Sequence, residues 1–543
     1  MNFFFNFYSR GQISFNTFKD FLQGTPALGF LGAGLRDRHY RSTDFAWYAQ
    51  DDFRVTDYLT VNAGIRVGRN GGISDRDGRL SNFDPAEYAA IGHACTTATP
   101  CNTNNGFHLL SPGQTLNPND WYTAPRAGFS LKPLKDTNFV VRGGAGVYFD
   151  RFSTRLANVQ VFNFPTDIVS VTVGPTFANP FPNLAAVNFP VAATVPSPVN
   201  YTAFNIPLPI SGIYVDKNFR TPYVIQYNLG IQQEFAKNWL VDIAYVGNVS
   251  HKLVNVVSLN QGATGTAPYN TAAGAFGFGL SPAFSLNKLL TSGFQLAQSN
   301  ASANYNSLQT SLTKRFSNGL QFLASYTWSK SIDYNSGQPG AGNELLAPSG
   351  DQQNMASQRG VSDFDRPHRF VLSGLYDLPK FYKGDSGFAR RAINGWQAST
   401  IMTFQSGAPF TVTCTSGSST FNRADLTGAN PNVAGDTEAK LGGYFNTGAF
   451  KTTCANVAPY GTSPRNFLRG PGQRNVDLGI VKFIPINERQ KMEFRAEFFN
   501  AFNLVNFANP ISTFTNNAPG LLGNIVTTST GPRVIQFALK YSF

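Results

Sequence analysis

Apolar and polar residues alternate with a period of two in many separate segments of this chain. In 58–68, Leu59, Val61, Ala63, Ile65 and Val67 fall on one side, and Thr60, Asn62, Gly64 and Arg66 on the other. In 223–232, Tyr223, Ile225, Tyr227, Leu229 and Ile231 oppose Gln226, Asn228, Gly230 and Gln232. The final segment sets Ile535, Phe537, Leu539, Tyr541 and Phe543 against Gln536, Lys540 and Ser542. The pleat of a strand sends successive side chains to opposite faces, so the pattern predicts strands. By this criterion the chain carries about fourteen of them, near 1–15, 40–52, 58–69, 121–133, 137–150, 221–236, 238–251, 304–316, 318–330, 367–379, 394–407, 473–484, 489–504 and 532–543. Most run for about ten residues or more, the length that a strand tilted by about 45° needs to cross a hydrocarbon layer.

One segment fits two periods. In Lys491–Phe507, Phe494, Phe498 and Phe502 share a helical face, while Met492, Phe494, Ala496 and Phe498 share a strand face opposite Glu493, Arg495 and Glu497. Its setting decides for the strand. It follows a short link at 484–488 and the alternating segment Val476, Leu478, Ile480, and a helix there would leave that neighbour's edge unpaired in lipid.

The links themselves alternate in length. Short ones fall at 53–57, 134–136, 236–237, 317–318 and 484–488; long ones, rich in Gly, Asn, Ser, Thr and Pro, fall at 70–120, 151–220, 252–303, 331–366 and 408–472. An outer-membrane barrel has tight periplasmic turns and long external loops, which is this arrangement. The predicted fold class is therefore all-β, an antiparallel transmembrane barrel. The polar side lacks dense charge, as a solvated lumen would, and Trp121, Trp239, Trp328 and Trp396 stand at strand ends, where interface girdles sit.

Composition agrees. Phe 49 and Tyr 21 stand beside only 14% charged residues, a strand-and-loop composition poor in helix formers. The net charge of +12 is scattered, with no basic cluster of the kind that nucleic acid requires. No run of 18 apolar residues predicts a membrane helix. The start, MNFFFNFYSRGQISF, alternates and lacks the basic, apolar and small-residue regions of a signal peptide.

Candidate chemistry changes little. The cysteines form two near pairs, Cys95 with Cys101 and Cys414 with Cys454, neither spaced for zinc; disulfides and free thiols both remain open. His39, His93, His108, His251 and His368 are dispersed, and no hydrolase elbow or phosphate loop is present. Asp75–Gly78, DRDG, resembles the start of a calcium loop but lacks its later ligands, and reads as a turn. Glycines 144 and 146 read as close packing or curvature in a strand. No enzyme, metal or cofactor is expected.

The segments 469–483 (RGPGQRNVDLGIVKF), 486–510 (INERQKMEFRAEFFNAFNLVNFANP), 363–379, 394–412 and 47–67, with the ending at Phe543, resemble the barrel domain of TonB-dependent outer-membrane transporters of the Oar-like branch. The resemblance implies the outer membrane of a Gram-negative bacterium, contact with lipid and lipopolysaccharide, and import or export of an unidentified ligand. It also implies that Tyr541 and Phe543 carry the signal for the barrel-assembly machinery. Such transporters have 22 strands around a plug, with a TonB-box and a signal peptide. The expectation here is one barrel domain over 1–543, the C-terminal portion of such a receptor, reaching TonB only through a plug it does not contain. Glu493, Arg495 and Glu497 are then expected to face the lumen. The alternative is a non-energised pore or a surface adhesion barrel.

Overall fold

A computed structural model describes residues 2–4, 11–34, 37–90, 107–134, 137–163, 166–180, 210–258, 290–337, 349–352, 354–416, 419–454, 460–487 and 489–543. Its dominant feature is an antiparallel wall of thirteen strands in chain order. They are β1 (Phe45–Arg54), β2 (Leu59–Asn70), β3 (Asp120–Leu131), β4 (Phe139–Phe149), β5 (Tyr223–Ala236), β6 (Trp239–Ser258) and β7 (Leu290–Ser317). The wall continues through β8 (Leu320–Asp333), β9 (His368–Asp377), β10 (Trp396–Gln405), β11 (Gln473–Pro485), β12 (Lys491–Phe499) and β13 (Val534–Ser542). Each corresponds to a segment expected from alternation.

One expected strand differs. Within 1–15, Asn2–Phe4 pairs with Asp37–Arg41 and Gln12–Ser14 with Leu28–Gly34, both outside the wall. Alternation fixes which face a side chain takes but not which strand lies beside it.

The register carries the alternation from strand to strand. Val61 lies opposite Phe53 and Phe129, and Leu229 opposite Gly143 and Tyr245. The apolar residues therefore form one continuous face. They are not buried: Trp47, Ile65, Trp121, Leu229, Tyr245, Trp328, Ile480, Phe537 and Leu539 all stand more than a third exposed. An apolar face of this extent needs an apolar environment around it. Among the described residues no helix is long and apolar enough to cross a membrane.

The two ends of the wall differ. At one, neighbours join through short links, except that 378–395 between β9 and β10 carries the short helix Gly387–Ile393. Asn318 and Gly319 both have positive φ, 53° and 80°, the geometry of a two-residue hairpin turn, and a Cβ on Gly319 would lie 2.6 Å from the Asp377 carbonyl. At the other end the links are long, and their described parts fold into structures of their own. Two apolar clusters form there. One gathers Tyr40, Leu80, Leu116, Leu156, Val215 and Phe219 with Val256 and Ala297, which project from β6 and β7. The other gathers Phe410, Val412, Phe445, Phe450, Leu468 and Phe514 around the Cys414–Cys454 disulfide.

Aromatic residues band the apolar face at both ends. At the loop end, Phe45 packs against Trp47 and Trp121 at 5.3 and 5.4 Å. At the turn end, Trp239 packs against Phe235 and Phe322 at 6.0 and 5.5 Å, with the Lys314 ammonium 5.4 Å from its ring. Phe53 to Trp47, Phe322 to Trp328 and Phe129 to Trp121 are steps of six to eight residues, roughly 20–27 Å of strand. That matches the band of about 25 Å between the girdles of an outer-membrane barrel.

The wall has two outer strands, β1 and β13, and both run from the loop end to the turn end. They are parallel because thirteen is odd.

Candidate functional site

Three places concentrate polar chemistry. The first is the polar face of β12 and β13. Glu493, Arg495 and Glu497 lie together on the face opposite Phe494 and Phe498, in register with Lys540, Ala538 and Gln536. Arg495 donates to Glu493, and Glu493 stands across from Lys540, so the row is largely self-neutralising. Tyr541 lies on the apolar face opposite Met492, its ring 5.9 Å from that of the highly exposed Phe543.

The second is a buried charge network at the loop end. Arg465, 7% exposed, is ion-paired with Asp333 at the end of β8, and also donates to the Asp333 and Gln358 carbonyls at 2.8 and 3.0 Å. Arg423 donates to the carbonyls of Ser349 and Ser357, both at 2.8 Å, and to Gln358 Oε1 at 2.6 Å. Burial, reinforced by the nearby Arg465, pushes the Arg423 guanidinium down to about 10. Arg469 donates to Asp365 at 2.7 Å. Three arginines of the β10–β11 loop thus hold three stretches of the β8–β9 loop. An unpaired ion here would carry a large desolvation cost, so each is met by carboxylate or carbonyl oxygens. Beside the network opens a cleft of about 480 Å³, lined by Asp363, Arg366, Thr411, Arg465, Asn466 and Asn509, offering donors and acceptors of both charges.

The third is a hollow of about 360 Å³ on the polar face of β1 to β5. Asn62, Gly128, Gly144 and Asn228 stand in one row across four strands, with Arg126 two residues to one side and Arg142 two residues to the other.

Among the predicted site residues, the structure joins Cys414 to Cys454, Cα to Cα 5.5 Å, while Cys95 and Cys101 lie outside the described residues. The DRDG segment is a turn: the Asp75 carboxylate accepts the amides of His39, Asp77 and Arg79 at 2.6, 3.1 and 3.0 Å, and Gly78 has φ 67°. Asp37, His39 and Asp77 come within 4.8 Å of one another, but Arg79 and Arg76 already neutralise the two carboxylates. The Arg76 hydrogen bond, with that of His39, holds Asp77 down to about 2. His108 meets Glu87 at 2.6 Å and His368 the Tyr326 hydroxyl at 2.8 Å.

Sequence reasoning missed the arginine network and the hollow. The pairs of the network are separated by 65 to 132 residues, and the floor of the hollow exists only through the pairing of strands. The nearest signal was the glycine pattern at 143–146.

A family model described as outer membrane beta barrel domain matches residues 1–536. Among solved structures, the chain is similar to the ferric-catecholate import receptor Fiu from K12 E. coli, with 12% identity, 95% of this chain and 45% of that chain covered, and a TM-score of 0.40. It is similar to the outer membrane transporter YddB from Escherichia coli, with 9% identity, 95% and 55% covered, and a TM-score of 0.42. For P. aeruginosa FpvA, solved as a pyoverdine–iron complex, the values are 11%, 98% and 51%, and 0.39. The chain spans about half the length of these proteins. No curated protein matches it.

Proposed function

The chain belongs to the outer membrane beta barrel domain family, matched over residues 1–536, and from that premise we propose that it forms the wall of a TonB-dependent, Oar-like transporter. The observation that carries this reading is the wall itself, apolar on one face and polar on the other, tight at one end and bearing large folded loops at the other. Its place is the outer membrane of a Gram-negative bacterium.

In this reading the apolar face meets lipid, with lipopolysaccharide around the loop end, and the polar face lines the lumen. Glu493, Arg495 and Glu497 are lumen charges facing whatever occupies the interior. The external loops supply ligand-binding surface, for which the cleft between Asp363 and Arg366 is the foremost candidate. Tyr541 and Phe543 end the strand that the barrel-assembly machinery reads. Residues 1–543 serve as one barrel domain of such a receptor, whose engagement of TonB runs through a plug domain. The chain's work is passage of a ligand, inward or outward, and not catalysis.

Strand parity supports this. Bacterial barrels close with an even number of antiparallel strands. Because β1 and β13 run the same way, antiparallel closure needs an odd number of further strands between them. Planar-bilayer recording with the full chain tests the proposal. The expected result is no stable unit conductance, since a wall whose two outer strands are unpaired among the described residues is not closed. A stable ohmic pore formed without TonB would favour the alternative, a non-energised pore or adhesion barrel.

A further inference from the structure

The hollow on β1 to β5 is built for a particular kind of ligand. Its floor is the row Asn62, Gly128, Gly144, Asn228, each residue opposite the next across neighbouring strands. Two adjacent glycines remove the side chains that would fill the centre, and the flanking carboxamides close the sides. The fit at the floor is tight: a Cβ on Gly128 would lie 2.6 Å from Asn62 Oδ1. Arg126 and Arg142 bound the remaining two sides. Their positions are four residues apart along the strand direction, roughly 13 Å, and both line the hollow.

The electrostatics point the same way. Neither arginine has an acidic partner among the described residues. Arg126 instead lies over the Tyr148 ring at 4.5 Å, which holds the guanidinium in place without neutralising it. On the three rows that include the floor, Arg126 and Arg142, the one carboxylate from β1 to β5 is Asp52, beyond Asn62 at the outer edge. Arg54, on the Arg142 row, is paired with Asp57. The wall at β12 and β13 differs, since there Glu493 has Arg495 beside it and Lys540 across from it. A cavity of about 360 Å³ suits a small molecule. Guanidinium groups take carboxylate and phosphate oxygens in bidentate fashion, and carboxamides can add donors.

We propose that the Asn62–Gly128–Gly144–Asn228 floor, with Arg126 and Arg142, is a binding subsite for a small polyanion bearing clustered carboxylate or phosphate oxygens. The proposal rests on the reading of the polar face as the lumen. Such a subsite would lie on the passage itself and set a preference for anionic ligands there.

The test uses the full chain folded in detergent, with citrate and tripolyphosphate as two separate probes in calorimetric titration. At least one probe binds, and the stronger of the two identifies the oxygen chemistry. Arg126→Gln and Arg142→Gln each weaken that binding roughly 10-fold or more, as loss of a charge-assisted contact should. Gly144→Val keeps both charges but fills the floor, and also abolishes binding. Glu493→Gln leaves it unchanged. A separate readout checks the underlying face: Gln226→Cys, beside the hollow, is modified by a water-soluble thiol reagent, and the bound probe slows the modification. Labelling at Gln226→Cys without binding of either probe overturns the subsite alone, as does binding that survives both arginine substitutions. Failure to label the folded protein overturns the lumen reading and the subsite with it.

Discussion

The wall and the loop end of this molecule solve opposite problems with the same chain. In the wall, Phe537 and Leu539 are 67% and 64% exposed, yet they are among the most apolar positions of β13. In the loop modules, Val412, Cys414 and Ala424 are fully buried, and so is most of the Arg465 side chain. The wall directs its apolar surface outward and satisfies the backbone between neighbouring strands with ladder hydrogen bonds, because its outer solvent is lipid. The loops bury apolar surface inward, as a water-soluble domain does, and add a disulfide and buried ion pairs. Where an apolar side chain points thus reports which solvent each region meets.

The largest expected effect breaks the loop side alone. Arg465→Ala leaves Asp333 buried and unpaired, at a cost of about 3–5 kcal/mol. The β8–β9 and β10–β11 loops should become sensitive to limited proteolysis, while the wall still migrates as a folded species on unheated gels. Replacing Cys414 and Cys454 by Ser removes a crosslink between residues 40 apart and should cost the same module about 2–4 kcal/mol, read as a lower thermal midpoint for loop cleavage.

The complementary experiment is confined to the wall. Leu229→Arg places a charge on the apolar face near mid-strand and should cost roughly 2–4 kcal/mol in urea titrations of the lipid-reconstituted protein. Asn228→Arg, one residue away on the polar face, should cost well under half of that. Equal costs would erase the distinction between the faces. The smallest effect belongs to Glu493→Gln. Its pair with Arg495 is partly solvated and side by side on one strand, so the same titration should move by about 0–1 kcal/mol.

These two regions were also unequally legible in the sequence. The wall could be read because a period of two is a local property: Tyr223, Ile225, Tyr227, Leu229 and Ile231 disclose their face without reference to any other strand. The same reasoning placed Phe494 and Phe498 opposite Glu493, Arg495 and Glu497. It misassigned 1–15 to the wall, because alternation is shared by strands of any sheet and the partner is chosen by tertiary contacts. The loop modules were opaque. Nothing near Arg465 announces Asp333, Ser336 or Gln358, which reach it only after two long loops have folded together. The hollow was opaque for a related reason: Gly128 and Gly144 become one floor through register, and register is non-local.

The two-faced wall is the central claim, and a cysteine scan along β5 tests it most directly. Each of residues 224–231 is replaced in turn, with Cys95 and Cys101 changed to Ser, and the lipid-reconstituted protein is exposed to a membrane-impermeant thiol reagent. The account predicts modification at 224, 226, 228 and 230 and protection at 225, 227, 229 and 231. Uniform modification, or a period near 3.6, would contradict it.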